Sequence, residues 1–227
     1  MKTFAESAIS FFASLSIPEN LPEGVVPLFP YNDPPVKELV RKFYTRFFSD
    51  TNLRFMLVGI NPGRFGAGIT GINFTAPRQL REDCGISHEL GNSSELSAEF
   101  IYSVINAFGG AKAFYRHFYL AAVSPVGFVQ NGKNLNYYDD PRLMASILPY
   151  ALDCMQRQLR FGVHRTVAIC IGGDKNYKFL KAMNEAGNFF AEILTVPHPR
   201  FILQYRRSSQ ESYIQQYLSA LDYCLHK

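Results

Sequence analysis

The chain has 227 residues, of which 47% are hydrophobic and 19% charged, so it is long enough for one well-cored domain and too apolar to be disordered. Its net charge of +4 is a mild basic bias, compatible with a polyanionic partner and insufficient to identify one. No apolar run reaches membrane-spanning length, and the segment Met1 to Ile9 carries Glu6 and lacks a clear cleavage site. Neither membrane insertion nor export is expected, which places the protein in the cytoplasm. Cys84, Cys154, Cys170 and Cys224 are scattered without C-x-x-C spacing, an argument for reduced thiols and against a zinc site or an iron–sulfur cluster.

Residues Phe4 to Leu15 repeat apolar groups at helical spacing and stop before Pro18. A proline-rich connector follows through Pro35, with Val25, Val26, Leu28, Phe29 and Tyr31 able to pack. Val36 to Phe48 reads as a second helix with basic residues on one face. Residues 1–50 are thus expected to form a helical extension on the core of a single domain spanning 1–227. Leu53 to Val58 is a short apolar run that reads as a buried strand. Ser94 opens a helix that stops near Gly109-Gly110, and Phe118 to Val123 is the second strand, closed by Ser124-Pro125. A loop with Gly132-Lys133-Asn134-Leu135-Asn136 precedes a helix from Pro141 to about Arg160, capped by Asp139 or Asp140. Thr166 to Ile171 is a third strand, nearly all apolar, as expected of one covered on both faces. Gly172-Gly173-Asp174 turns it into a helix through Met183. Ala191 to Val196 is the fourth strand and Ser209 to Leu225 the closing helix. Strands alternating with helices imply a three-layer α/β/α sandwich around a four-stranded, mainly parallel sheet.

The most informative stretch leaves the first of these strands, from Gly59-Ile60-Asn61-Pro62-Gly63-Arg64-Phe65-Gly66 to Phe74. Pro62 forces Asn61 out of the helical region and Gly63 allows backbone conformations closed to other residues. Asn61 therefore stands at the carboxyl end of a central strand, where open α/β sheets place their ligands. Five glycines from Gly59 to Gly71 let the backbone approach something flat or anionic. Gly66 to Gly71 also fits G-x-G-x-x-G, so a nucleotide- or cofactor-binding α/β enzyme is the rival reading. The glycines lead into Ile69, Thr70, Ile72, Asn73 and Phe74, a poor helix start, and no strand ending in an acid follows at the expected distance.

The loops that follow parallel strands gather on one edge, and here they carry Asn61, Ser124, Gly172-Gly173 and Pro197-His198-Pro199-Arg200. His198 between two prolines has little backbone freedom, which suits a side chain that must be aimed. Phe201 to Arg207 mixes apolar and basic groups in what reads as a loop. Such a mixture serves to wedge into a base stack while holding phosphates, or else Phe201, Ile202 and Leu203 pack on the closing helix.

Gly59 to Gly66 with Thr70-Gly71 and Phe74, together with His198-Pro199-Arg200, resembles the uracil-DNA glycosylase superfamily, and within it the single-strand-selective monofunctional branch. The resemblance runs from about Phe55 to Arg200. It implies hydrolysis of the N-glycosidic bond of uracil and related pyrimidines such as 5-hydroxymethyluracil, by a monomer acting on single- or double-stranded DNA without metal or cofactor. A catalytically silent DNA-binding module of the same fold is a further alternative. By the resemblance Asn61 would position the attacking water, His198 would bind a carbonyl oxygen of the base, and Phe74 would stack on the extruded base. Ile60, Gly63, Phe65, Ser124 and Asn134 would line the pocket. Arg64, Lys133, Gly172, Gly173, Arg200, Phe201, Arg206 and Arg207 would contact DNA. Two positions depart from the family pattern. Ala122 stands where an asparagine reads the uracil edge, so Ser124, Asn134, Asn136 or backbone groups are expected to replace it. Arg200 also follows Pro199 directly, where the family runs His-Pro-Ser-Pro-Arg.

The residue types carry a consistent chemistry. Breaking an N-glycosidic bond leaves positive charge on the sugar and negative charge on the base. An amide is a poor base and can only orient water, so the rate must come mostly from donors aimed at the departing anion. A base inside a duplex has to be flipped out before any such group can reach it.

Overall fold

The computed structural model describes residues 2–227. Thr3 opens helix α1 (Phe4–Ala13) with a capping box: its hydroxyl accepts from Glu6 N–H at 3.1 Å, and the Glu6 carboxylate accepts from Thr3 N–H at 2.7 Å. Strand β1 (Val25–Leu28) follows, then α2 (Pro34–Phe48), with Pro34 in its first turn. The chain continues through β2 (Phe55–Gly59), the one-turn α3 (Ala67–Thr70), α4 (Pro77–Glu82), α5 (Leu96–Phe108), α6 (Ala111–His117) and β3 (Phe118–Ala122). After the hairpin β4 (Gly127–Gln130) and β5 (Lys133–Leu135) come α7 (Pro141–Leu159), β6 (Val167–Ile171), α8 (Asp174–Gly187), β7 (Glu192–Val196), α9 (Pro199–Tyr205) and α10 (Gln210–Leu225).

The main sheet runs β3-β2-β6-β7 with every neighbouring pair parallel. Parallel neighbours require crossover connections, and helices supply all of them. Every residue of β2, β3 and β6 is buried, which explains why these segments read as continuous apolar runs instead of alternating ones. Helices α1, α2 and α7 pack together, while α5, α9 and α10 form a second group, so the sheet lies between two helical layers. The connections leaving β2 and β6 diverge to opposite sides, which opens a crevice at the carboxyl ends of these two strands. No helix among the described residues is long and apolar enough to cross a membrane. The four cysteines are free and buried.

Four segments differ from the sequence reading. The proline-rich connector contains β1, which pairs antiparallel with β4 so that Val25 faces Gln130 and Leu28 faces Gly127. With β5 these strands make a second, three-stranded sheet of order β1-β4-β5, and the expected loop around Lys133 is its hairpin. The residues after Gly66 do form a helical turn, α3, closed by Gly71 in the left-handed region at φ +71°. The stretch after Pro199 is helix α9 and not a loop, because His198 caps it and Ile202 and Leu203 are buried.

Among the described residues one charged side chain lies inside this frame. Arg54 is fully buried just before β2, with its guanidinium between the rings of Phe4 and Phe48, 5.1 Å from each centroid. It donates to the Asp50 carboxylate, to Asn52 O at 2.7 Å and to Tyr115 O at 3.2 Å. A buried charge that loses its partners is strongly destabilising, and here the side chain also fills space among aromatic rings. Arg54→Ala should therefore lower the unfolding free energy by about 3 kcal/mol. Urea denaturation measures this, and a loss below about 1 kcal/mol would show that the cluster does not depend on the cation.

Candidate active site

A cleft of about 550 Å³ opens at the carboxyl ends of the main-sheet strands. Its walls come from four places: the turn after β2 with Asn61 and Gly63, the end of β3 with Ala122, the β5 hairpin with Lys133 and Asn134, and His198 after β7. Phe74 and Glu95 close its remaining side.

The turn after β2 holds Asn61 firmly. Its Oδ1 accepts from the Tyr137 backbone N–H at 3.0 Å, and its Nδ2 donates to Leu135 O at 3.2 Å and Pro62 O at 3.3 Å. An N–H can only donate and a C=O can only accept, so these neighbours fix which way the amide faces. Both Nδ2 hydrogens are committed, whereas Oδ1 keeps a second lone pair. Asn61 can therefore offer the cleft an acceptor. The next residues are tied to the same hairpin: Arg64 N–H donates to Asn134 Oδ1 at 3.1 Å, and the Arg64 guanidinium donates to Gly132 O.

Two groups of glycines make room for side chains. A Cβ on Gly59 would run into the Phe74 ring, so the ring rests directly on the end of β2. Phe74 itself holds a left-handed backbone at φ +55°, rare for a bulky residue and an indication that the surroundings force it. Gly63 and Gly66 clear space for Glu95: a Cβ on Gly63 would sit 2.7 Å from Glu95 Oε2. Glu95 occupies the N-cap position of α5 yet makes no capping bond, and its carboxyl turns toward the glycine loop. Burial raises its pKa to about 7, against a smaller opposing pull from Arg200.

His198 is the N-cap of α9, and its Nδ1 accepts the Arg200 N–H at 3.2 Å. Burial, with Arg200 nearby, lowers its pKa to about 4. At neutral pH the ring is therefore uncharged, and with Nδ1 serving as acceptor the proton resides on Nε2. The cleft thus holds a neutral donor that needs no counter-charge.

Of the residues singled out from the sequence, Ile60, Asn61, Gly63, Arg64, Phe65, Phe74, Lys133, Asn134, His198 and Arg200 line this cleft. Gly172, Gly173 and Phe201 line an adjoining groove of about 1100 Å³ that shares His198 with it. Ser124 lies in neither, because its hydroxyl is spent in its own turn, donating to Val126 O at 2.7 Å and accepting from Val126 N–H. Arg206 stacks on Phe201, and Arg207 bonds to Leu203 O on the far side of α9. With helix α9 where a loop was expected, neither arginine lines the cleft. Asn136 reaches the cleft but donates to the Asp139 carboxylate. Sequence reasoning missed Glu95 and Asn73. The sequence marks Asn73 only as a polar residue beside Phe74, and Glu95 only as an acid at the start of a helix.

The family model described as Uracil DNA glycosylase superfamily matches residues 45–222. Comparison with curated proteins gives no match. Among solved structures, the crystal structure of wild-type SMUG2 from Pedobacter heparinus is similar over 100% of both chains, at 39% identity and a TM-score of 0.96.

Two measurements check the electrostatics of the cleft. The ¹H–¹⁵N imidazole spectrum of His198 should show the Nε2–H tautomer unchanged from pH 5.5 to 8, and a titration near 6.5 would contradict the burial argument. Glu95 has the opposite sign. Its raised folded-state pKa favours folding below the ordinary value of 4.5, and that contribution is lost as pH rises through about 7. Glu95→Gln should therefore gain thermal stability relative to wild type between pH 5 and pH 8, whereas a constant difference would mean that the carboxyl is ionised throughout.

Proposed function

We propose, for a chain that belongs to the uracil DNA glycosylase superfamily and is a hydrolytic DNA N-glycosylase of base excision repair, that it removes uracil and 5-substituted uracils such as 5-hydroxymethyluracil. The observation that carries this reading is the rigid Asn61 amide sharing one cleft with a neutral His198 donor. A flipped nucleotide enters the cleft with its base against Phe74. Asn61 Oδ1 accepts a hydrogen bond from a water molecule and holds it toward C1′ of the sugar. The C1′–N1 bond breaks with its electron pair going to the base, and negative charge develops on the uracil oxygens. His198 Nε2–H donates to one of these oxygens, where a neutral donor stabilises the charge that forms. The water then adds to C1′, its proton passes to solvent or to the departing base, and an abasic site remains.

Substrate range follows from the wall at Ala122. A methyl group at the end of β3 occupies little space, so a substituent at C5 meets no large side chain there. Arg64, Lys133 and Arg200 at the rim suit the phosphates on either side of the flipped nucleotide. Phe201 and Tyr205 are 43% and 62% exposed on the same face of α9, with ring centroids 5.9 Å apart and ring planes tilted by 45°, apolar surface suited to a wedge between bases.

The test is a panel of oligonucleotides with uracil, 5-hydroxymethyluracil, thymine or cytosine opposite guanine, incubated with the protein and then treated with alkali. Strand breaks are expected at uracil and 5-hydroxymethyluracil, and absence of breaks at uracil would remove the reading. Asn61→Ala should cut single-turnover cleavage of uracil by about a hundredfold or more while leaving affinity for abasic-site DNA nearly unchanged. Cleavage near the wild-type rate would exclude Asn61 from the mechanism.

A further inference from the structure

A uracil presents a donor, N3–H, between two carbonyl acceptors, and a cleft that selects it must answer both kinds of group. The side-chain amides lining the cleft are those of Asn61, Asn73, Asn134 and Asn136. Asn61 is committed to Tyr137 and Leu135, Asn134 Oδ1 takes the Arg64 N–H, and Asn136 is bound to Asp139. Asn73 differs. It is buried beside Phe74, its Nδ2 donates to Leu120 O at 3.3 Å, and its Oδ1 receives no hydrogen bond and is not sealed from the cleft.

Resting on the reading proposed above, we infer that Asn73 is the residue that reads the extruded base, supplying the amide that Ala122 cannot. Its Oδ1 accepts N3–H and its second Nδ2 hydrogen donates to the adjacent carbonyl. The Leu120 carbonyl is what makes this selective. Because that oxygen can only accept, it holds the amide with nitrogen toward β3 and oxygen away from it. A free amide would turn over to suit cytosine, which presents an acceptor at N3 and a donor at N4. The pinned amide meets cytosine acceptor to acceptor and donor to donor, and such unpaired buried groups give strong rejection. The turn carrying Asn73 is rigid as well. Thr70 Oγ1 donates to Thr75 O at 2.6 Å and accepts from Ile72 N–H at 3.1 Å, while Thr75 Oγ1 bonds to Asn73 O at 3.2 Å and to the Tyr102 hydroxyl at 2.9 Å.

The experiment compares wild type with Asn73→Ala on three duplexes: cleavable uracil, a 2′-fluorinated deoxyuridine whose glycosidic bond resists hydrolysis, and an abasic-site analogue with no base to read. Asn73→Ala should lose roughly ten- to a hundredfold in uracil cleavage and in affinity for the fluorinated duplex, with abasic affinity unchanged within about twofold. Equal losses on the fluorinated and abasic duplexes would make Asn73 a brace for its turn, and no loss on either would place the base elsewhere. Both outcomes overturn the inference. A measurement on wild type does not depend on the variant folding: the Asn73 side-chain amide resonances should shift with the fluorinated duplex and stay in place with the abasic one. No difference between the two duplexes also overturns it. If wild type itself leaves uracil uncleaved, the fault lies with the glycosylase reading, and this outcome is distinct from a wild type that cleaves and a variant that cleaves equally well.

Discussion

The carboxamide of Asn61 joins the two sheets of the molecule. One side chain at the end of β2 bonds to the backbone of residues 135 and 137, just beyond the β5 hairpin. Each such bond contributes only about 1 kcal/mol, so its significance lies in placement more than in stability. The amide ties the chain beyond the hairpin to the end of β2, beside the Arg64 bonds that hold the wall carrying Lys133 and Asn134. The bond from Arg64 N–H to Asn134 depends on the same register. Asn61 is thus both brace and site residue, and the same contacts that brace it set the direction of its free lone pair.

The interior of the cleft and its rim follow opposite electrostatic rules. Inside, burial keeps the imidazole of His198 neutral and pushes Glu95 toward its protonated form. At the rim, Arg64, Lys133 and Arg200 keep their charges in contact with solvent. A DNA strand has the matching division, with charged phosphates outside and an uncharged base to be inserted. Neutral donors inside the cleft avoid the desolvation penalty that a buried imidazolium would carry, and they leave the site free of a cation that would favour an anion over an uncharged base.

Much of this was legible in the sequence, for identifiable reasons. The parallel sheet was readable because strands buried on both faces form unbroken apolar runs. Asn61 and His198 were readable because proline on one side or both announces a fixed turn. The small sheet escaped because Val25–Leu28 contains Pro27 and pairs with residues a hundred positions away, so nothing local marks it. Helix α9 escaped because its cap is a histidine and its length is only seven residues. Ser124 fitted the site by sequence position, and only the geometry of its turn shows where the hydroxyl is used. Glu95 and Asn73 lie far from the glycine motif or inside its uninformative end, and only folding brings them to the cleft.

The buried thiols have a chemical consequence of their own. Burial is the leading cause that raises Cys84, Cys154, Cys170 and Cys224 to about 12, and none of them lines the cleft. The thiolate is the form that oxidants and electrophiles attack, and with such pKa values roughly one thiol in a hundred thousand is ionised at neutral pH. Peroxide and alkylating agents attack DNA bases at exposed positions, whereas here they meet sulfur that is both protonated and enclosed. Reaction at these sulfurs therefore requires the fold to open first, so the rate of cysteine modification reports on opening of the core and not on the cleft.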